Sequence, residues 1–158
     1  MKRISAPWRM TFLQKPQTAC IFCELQSQPD GPESLIVFRG QHAFVILNRY
    51  PYTGGHLLVV ARQHLATLED LSAEVRQEMI ELATQAMRIL RRVYKPDGFN
   101  LGANIGEAAG AGIAGHIHLH IVPRWTGDAN FMLTTAEVKV IPEALEDTYR
   151  RIRHAWYE

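Results

Sequence analysis

The segment His116-Ile-His-Leu-His-Ile-Val122 holds three histidines at alternating positions, each followed by an aliphatic residue. Side chains on a strand alternate between faces, so His116, His118 and His120 should share one side, and Ile117, Leu119 and Ile121 the other. The apolar side can be covered by helices, leaving a row of imidazoles on the opposite surface. Pro123 is expected to end regular pairing there.

Two chemistries suit such a row. A three-histidine zinc site with an open position would activate water for hydrolysis. Same-face residues on one strand stand about 6.6–7 Å apart, however. Ligand distances near ~2 Å would then demand a bent strand or help from another element. The alternative divides the labour: one imidazole attacks, while a neighbour stabilises charge or protonates a leaving group. Phosphorus electrophiles suit this, since imidazole is nucleophilic near neutral pH and its protonated form pairs with phosphate oxygen. The spacing favours the second chemistry. A nucleophile that must be neutral implies activity falling as pH drops through the apparent pKa of the row.

Cys20-Ile-Phe-Cys23 is a second constellation. By itself it reads as two reduced thiols, a redox pair or half of a metal site. A redox pair belongs near a βαβ pattern, which is not evident here. Zinc needs two more ligands, and His64 and His116 are candidates. His42 and His154 have no partners visible in sequence and read as surface or structural; Trp8, Trp125 and Trp156 read as core or subunit contacts.

These residues need elements to hold them. Residues 35–38 and 43–47 read as strands of a hairpin turning at 39–41, and 56–61 as a third strand. A helix should start at Ser72 as N-cap, with Glu74 in its first turn. Its buried face is Val75, Met79, Leu82, Ala83, Ala86, Leu90 and Val93. Arg88, Arg91 and Arg92 read as solvated surface near its end, and Pro96-Asp-Gly98 stops it. Residues 99–105 and 116–122 are two more strands, joined by a loop holding Gly106, Gly110 and Gly112. A second helix is expected from about Pro142, burying Leu145, Thr148 or Tyr149, Ile152 and Trp156. The pattern is α+β: an antiparallel sheet of about five strands with two main helices.

Composition sets the outer bounds. The chain has 158 residues, 47% of them hydrophobic, which suits one domain with a sizeable core. Its 17 Lys+Arg against 16 Asp+Glu, a net +1, argue against coating nucleic acid. No apolar run approaches the roughly 20 residues of a membrane span, and residues 1–9 lack a secretory pattern. Two cysteines make no disulfide framework. The expectation is a cytoplasmic enzyme or ligand-binding domain, with neither nucleic acid nor membrane as partner.

The run His116-Ile-His-Leu-His-Ile-Val-Pro-Arg124 resembles the signature of the histidine triad (HIT) family, in which three histidines alternate with apolar residues. The resemblance extends from about Cys20 to Trp156, and includes Asn48 eight residues before His56. Pro7-Trp-Arg-Met10 and the stretch from Pro123 to Met132 further resemble a bacterial, zinc-containing branch that includes diadenosine polyphosphate phosphorylases and hydrolases. What this implies is one HIT domain over residues 1–158, with a core at about 20–125 and a C-terminal helix at about 142–157. The implied reaction is nucleotidyl transfer or hydrolysis at the α-phosphate of a dinucleoside polyphosphate or related adenine nucleotide. His118 matches the nucleophile that becomes covalently nucleotidylated, His120 the neighbour that assists the leaving group, and His56 a supporting histidine. Asn48 falls where the family contacts ribose and Asn104 where a polar side chain reaches phosphate. Water or inorganic phosphate would resolve the intermediate.

The family's Gly-Gln-Ser/Thr before the triad is replaced by Ala111-Gly-Ile-Ala-Gly115, so backbone N–H groups around Gly110, Gly112 and Ile113 are expected to cradle phosphate instead. The resemblance also implies a structural zinc on Cys20, Cys23, His64 and His116, clamping the N-terminal segment to the sheet by the ion rather than by hydrophobic burial. It implies a homodimer as well. Mg²⁺ is expected only as a companion of a polyphosphate substrate, since no acidic cluster marks a site for it. Alternatives of other kinds are an adenosine phosphoramidase, a nucleotide-binding scaffold of low activity, and an open-zinc hydrolase.

Overall fold

A computed structural model of the chain describes residues 19–128 and 143–158. Five strands, β1 (Ile36–Arg39), β2 (Ala43–Leu47), β3 (Leu57–Ala61), β4 (Gly98–Gly102) and β5 (His118–Arg124), form one antiparallel sheet in the order β1-β2-β3-β5-β4. Three helices accompany it: α1 (Ile21–Ser27), α2 (Ala73–Tyr94) and α3 (Leu145–Tyr157). Sequence patterning anticipates α2 and α3 but not α1, which at seven residues is too short to show a periodic stripe. Pro142 lies outside the described residues, and α3 begins at Leu145 with Ala144 as N-cap.

The central strands β2 and β3 are buried along their whole length. On one face of the sheet α2 lies against β2, β3 and β5, while α3 lies against α2 and the edge strand β1. The Ser72 hydroxyl accepts from the Val75 N–H and caps α2; Lys95 closes the helix in the left-handed region. Val75, Met79, Leu82, Ala83, Ala86, Ile89 and Leu90 form its buried stripe, with Val93 only half-buried. Arg91 and Arg92 are exposed, as expected, and also tie elements together. Arg92 donates to the carbonyl of Ala155 on α3, and Arg91 sits 5.0 Å above the Phe99 ring of β4. Trp156 of α3 is buried and stacks on Phe38 of β1 at 5.2 Å.

Several strand boundaries differ from the sequence reading, the largest shifts lying in β4 and β5. His116 lies ahead of β5, which starts at His118. Pairing does not end at Pro123: on the β4 side Pro123 stands opposite Phe99 and Arg124 opposite Gly98, while the pairing with β3 stops at Ile121. A proline is tolerated once only one neighbour remains to be paired. Finally, β4 ends at Gly102 rather than at residue 105.

Glu78 of α2 secures the β1–β2 turn, its carboxylate accepting the backbone N–H groups of His42 at 3.0 Å and Ala43 at 3.2 Å. Glu78→Ala should therefore lower unfolding stability by about 1–3 kcal/mol, the cost of unpaired, partly buried donors, read as a lower urea midpoint.

Candidate active site

The register of β3 against β5 builds the site. Leu58 stands opposite His120 and Val60 opposite His118, so these four side chains share one face of the sheet. Leu57, Val59, Leu119 and Ile121 point to the other face and join the core. His56 immediately precedes β3, and its ring lies 5.2 Å from that of His120. Gly55 sets this approach: it adopts φ +76°, and a Cβ there would stand 3.1 Å from Leu90 of α2.

Hydrogen bonds fix which nitrogen of each ring carries hydrogen, because carbonyl oxygens only accept and backbone N–H groups only donate. His118 Nδ1 is 2.8 Å from the His116 carbonyl and must donate to it, leaving the Nε2 lone pair available. The Tyr52 N–H donates to His56 Nδ1 at 3.1 Å, so the neutral His56 ring carries hydrogen on Nε2. That nitrogen is 3.0 Å from His120 Nδ1 and donates to it, which puts the His120 hydrogen on Nε2. The row thus presents one acceptor nitrogen, on His118, beside one donor, on His120. Burial holds the His118 pKa below the usual histidine value, partly offset by the His116 carbonyl, and so favours the neutral ring.

His118 and His120 line a cleft with Asn48, Asn104, Gly112 and Ile113, which brings together six of the residues expected from sequence. His56 sits behind His120, fully buried. The Asn48 side chain is already engaged: Oδ1 accepts the Tyr50 N–H at 3.0 Å and Nδ2 donates to His56 Nδ1 at 3.3 Å. Gly110 corrects the expected cradle. Its own N–H donates to the Glu107 carbonyl at 2.9 Å, closing a turn, and it is Gly112 and Ile113 that line the cleft.

Phe22 and Tyr52 also wall the cleft, and neither was anticipated. Phe22, 3% exposed, meets His116 edge-on at 5.4 Å and His118 at 5.1 Å. This overturns the expectation that the N-terminal segment is held without hydrophobic burial. A buried phenylalanine contributes roughly 1.5–3 kcal/mol to docking α1. The signal was its place between Cys20 and Cys23, since any cluster joining those cysteines to His116 must carry Phe22 to the row. Tyr52 lies nearly parallel to His120, 10° between planes and 6.0 Å between centroids.

Cys20, Cys23, His64 and His116 converge, their ligand atoms all within 4.8 Å of one another. Cys20 Sγ is 3.2 Å from His116 Nδ1, and Cys23 Sγ is 3.4 Å from His64 Nδ1 and 3.7 Å from His116 Nδ1. Ligands of one tetrahedral ion with ordinary sulfur and nitrogen distances stand roughly 3.5 Å apart, so the four donors fit a single metal. His116 Nε2 donates to the Ala61 carbonyl at 2.7 Å, which leaves Nδ1 as the ligating lone pair. His42 and His154 stay outside both clusters; His154 pairs with Glu158 on the surface.

Two imidazoles of one strand thus line a cleft on an antiparallel sheet, backed by a third and flanked by a Cys₂His₂ cluster. The family model of the HIT domain matches residues 31–127, and the chain belongs to that family. It is 38% identical to the AP-4-A phosphorylase of Mycobacterium tuberculosis, over 99% of this chain and 85% of that protein. Among solved structures it resembles a Zn-bound histidine triad family protein from Mycobacterium smegmatis, with 28% identity and a TM-score of 0.70, covering 89% of this chain and 95% of the other. The fold is shared with the Plasmodium falciparum diadenosine triphosphate hydrolase at 17% identity and a TM-score of 0.63, over 82% of this chain and 77% of that one.

Long-range ¹H–¹⁵N spectra of the folded protein should show His118 as the Nδ1–H tautomer and His56 and His120 as Nε2–H. The reverse assignment at His118 would contradict its hydrogen bond to the His116 carbonyl.

Proposed function

We propose that this HIT-family enzyme cleaves a dinucleoside polyphosphate, of the diadenosine tetraphosphate type, at the α-phosphate through a nucleotidyl-His118 intermediate. The observation that carries the reading is the His118 ring, tied through Nδ1 to the His116 carbonyl, with Nε2 left as a lone pair in the cleft. Its similarity to a protein named AP-4-A phosphorylase supports the substrate class. The His118 Nε2 lone pair forms a bond to the α-phosphorus as the bond to the leaving polyphosphate oxygen breaks. That oxygen departs as an anion, stabilised by the hydrogen bond from His120 Nε2–H. His56, held by Tyr52 and Asn48, keeps His120 in the donating tautomer. Asn48 and Asn104 serve ribose and phosphate, and the Gly112 and Ile113 N–H groups take the place of the missing polar side chain. Inorganic phosphate or water then attacks phosphorus and frees His118.

In this reading Cys20, Cys23, His64 and His116 hold a structural zinc, which fills its coordination and leaves no open site for water. The working form is a cytoplasmic homodimer; β4, with one side unpaired among the described residues, is the open edge where a sheet could continue. No described helix is long and apolar enough to cross a membrane.

His118→Ala should abolish turnover of diadenosine tetraphosphate and retain nucleotide binding, and wild-type protein quenched without acid should show a nucleotidyl adduct on His118 by mass spectrometry. Near-normal turnover in the variant would end the proposal. With phosphate present a nucleoside diphosphate product should appear that is absent without it; equal products under both conditions would make the enzyme a hydrolase. Protein purified without added zinc should carry about one zinc per chain, falling sharply in Cys23→Ser.

A further inference from the structure

The cleft does not end at His120. On the same face of the sheet a second, more open hollow of about 390 Å³ continues past it, sharing Tyr52, Asn104 and His120 with the first and extending over Asn100, Gly102 and Val122. The strand register creates it. Gly102 stands opposite His120 and Asn100 opposite Val122, so the side chains at 100, 120 and 122 rise on one face while the glycine leaves the space beside His120 empty of side chain.

In a phosphoryl-type displacement the nucleophile and the leaving group lie on opposite sides of phosphorus. His118 lines only the first hollow, and His120 lies between the two. A group expelled past His120 therefore enters the second hollow. From these features we infer that the second hollow binds the leaving nucleoside polyphosphate half, an inference that rests on the proposed function and specifies a two-ended substrate.

The volume falls within the roughly 300–1,000 Å³ typical of small-molecule sites. Its lining suits a nucleoside more than bare phosphate: the Tyr52 ring offers a flat face parallel to His120, and Asn100 and Asn104 offer amides. Arg124, also lining the hollow, donates to the Asp128 carboxylate at 2.6 Å and to the Asn100 side-chain Oδ1 at 2.8 Å, so its charge is paired with Asp128. By microscopic reversibility an acceptor phosphate must approach the nucleotidyl-His118 intermediate through this same space.

Gly102 allows a direct test. A Cβ there meets nothing within 4 Å, and its backbone is not left-handed, so the side chains of Gly102→Leu and Gly102→Phe start from open space beside His120. The readout is kcat/KM for diadenosine tetraphosphate divided by kcat/KM for adenosine 5′-phosphoramidate, whose leaving group is only ammonia. That ratio should fall about tenfold or more in Gly102→Leu, and further in Gly102→Phe. A ratio unchanged in both variants overturns the inference, whether the two rates fall together or not at all. Wild-type protein that turns over neither compound overturns the proposed function instead. Calorimetric titration with AMP and a non-hydrolysable dinucleoside polyphosphate then reads the hollow alone: selective loss of dinucleotide affinity in Gly102→Leu upholds it, and unchanged dinucleotide affinity refutes it.

Discussion

The antiparallel register of β3 on β5 is the constraint on which the remaining architecture rests. It sets Leu58 against His120 and Val60 against His118, and thereby sends both of these imidazoles to one face and Leu119 and Ile121 to the other. A slip of one residue would exchange the two sets, burying imidazoles beneath α2 and exposing Leu119 and Ile121 to the cleft. The apolar face thus does more than stabilise the domain: the burial of Val59, Leu119 and Ile121 under α2 is what holds the row in place.

Within that frame His116 links two tasks. Its ring faces the cysteines through Nδ1 and the Ala61 carbonyl through Nε2, while its own carbonyl accepts from His118. It stands just before β5 and alone of the three row histidines joins the cysteines, while His118 and His120 line the cleft. Phe22 bridges the same two regions from α1, touching His116 and His118 together. The Cys₂His₂ cluster and the cleft are separate in chemistry but share a wall.

The polar groups of the cleft are organised by one another before any substrate arrives. The Tyr52 backbone N–H donates to His56 Nδ1 and the His56 Nε2–H to His120 Nδ1, a directed chain that sets both tautomers. Such preorganisation is the expected source of rate in chemistry dominated by positioning and electrostatics.

Local pattern was enough to determine the hairpin, the α2 cap at Ser72 and the alternation that aligns His118 with His120, because each depends on residues near in sequence, whereas the set Cys20, Cys23, His64 and His116 came from the family resemblance. It could not place Phe22 and Tyr52 at the cleft, since both reach it across the fold from segments with no periodic signal. Nor could it show that Gly110 spends its N–H on Glu107, that Arg92 braces α3, or that β5 runs past Pro123. Those outcomes turn on which partner each group finds, and partners distant along the chain are chosen only when the sheet register and helix packing bring them within a few ångströms.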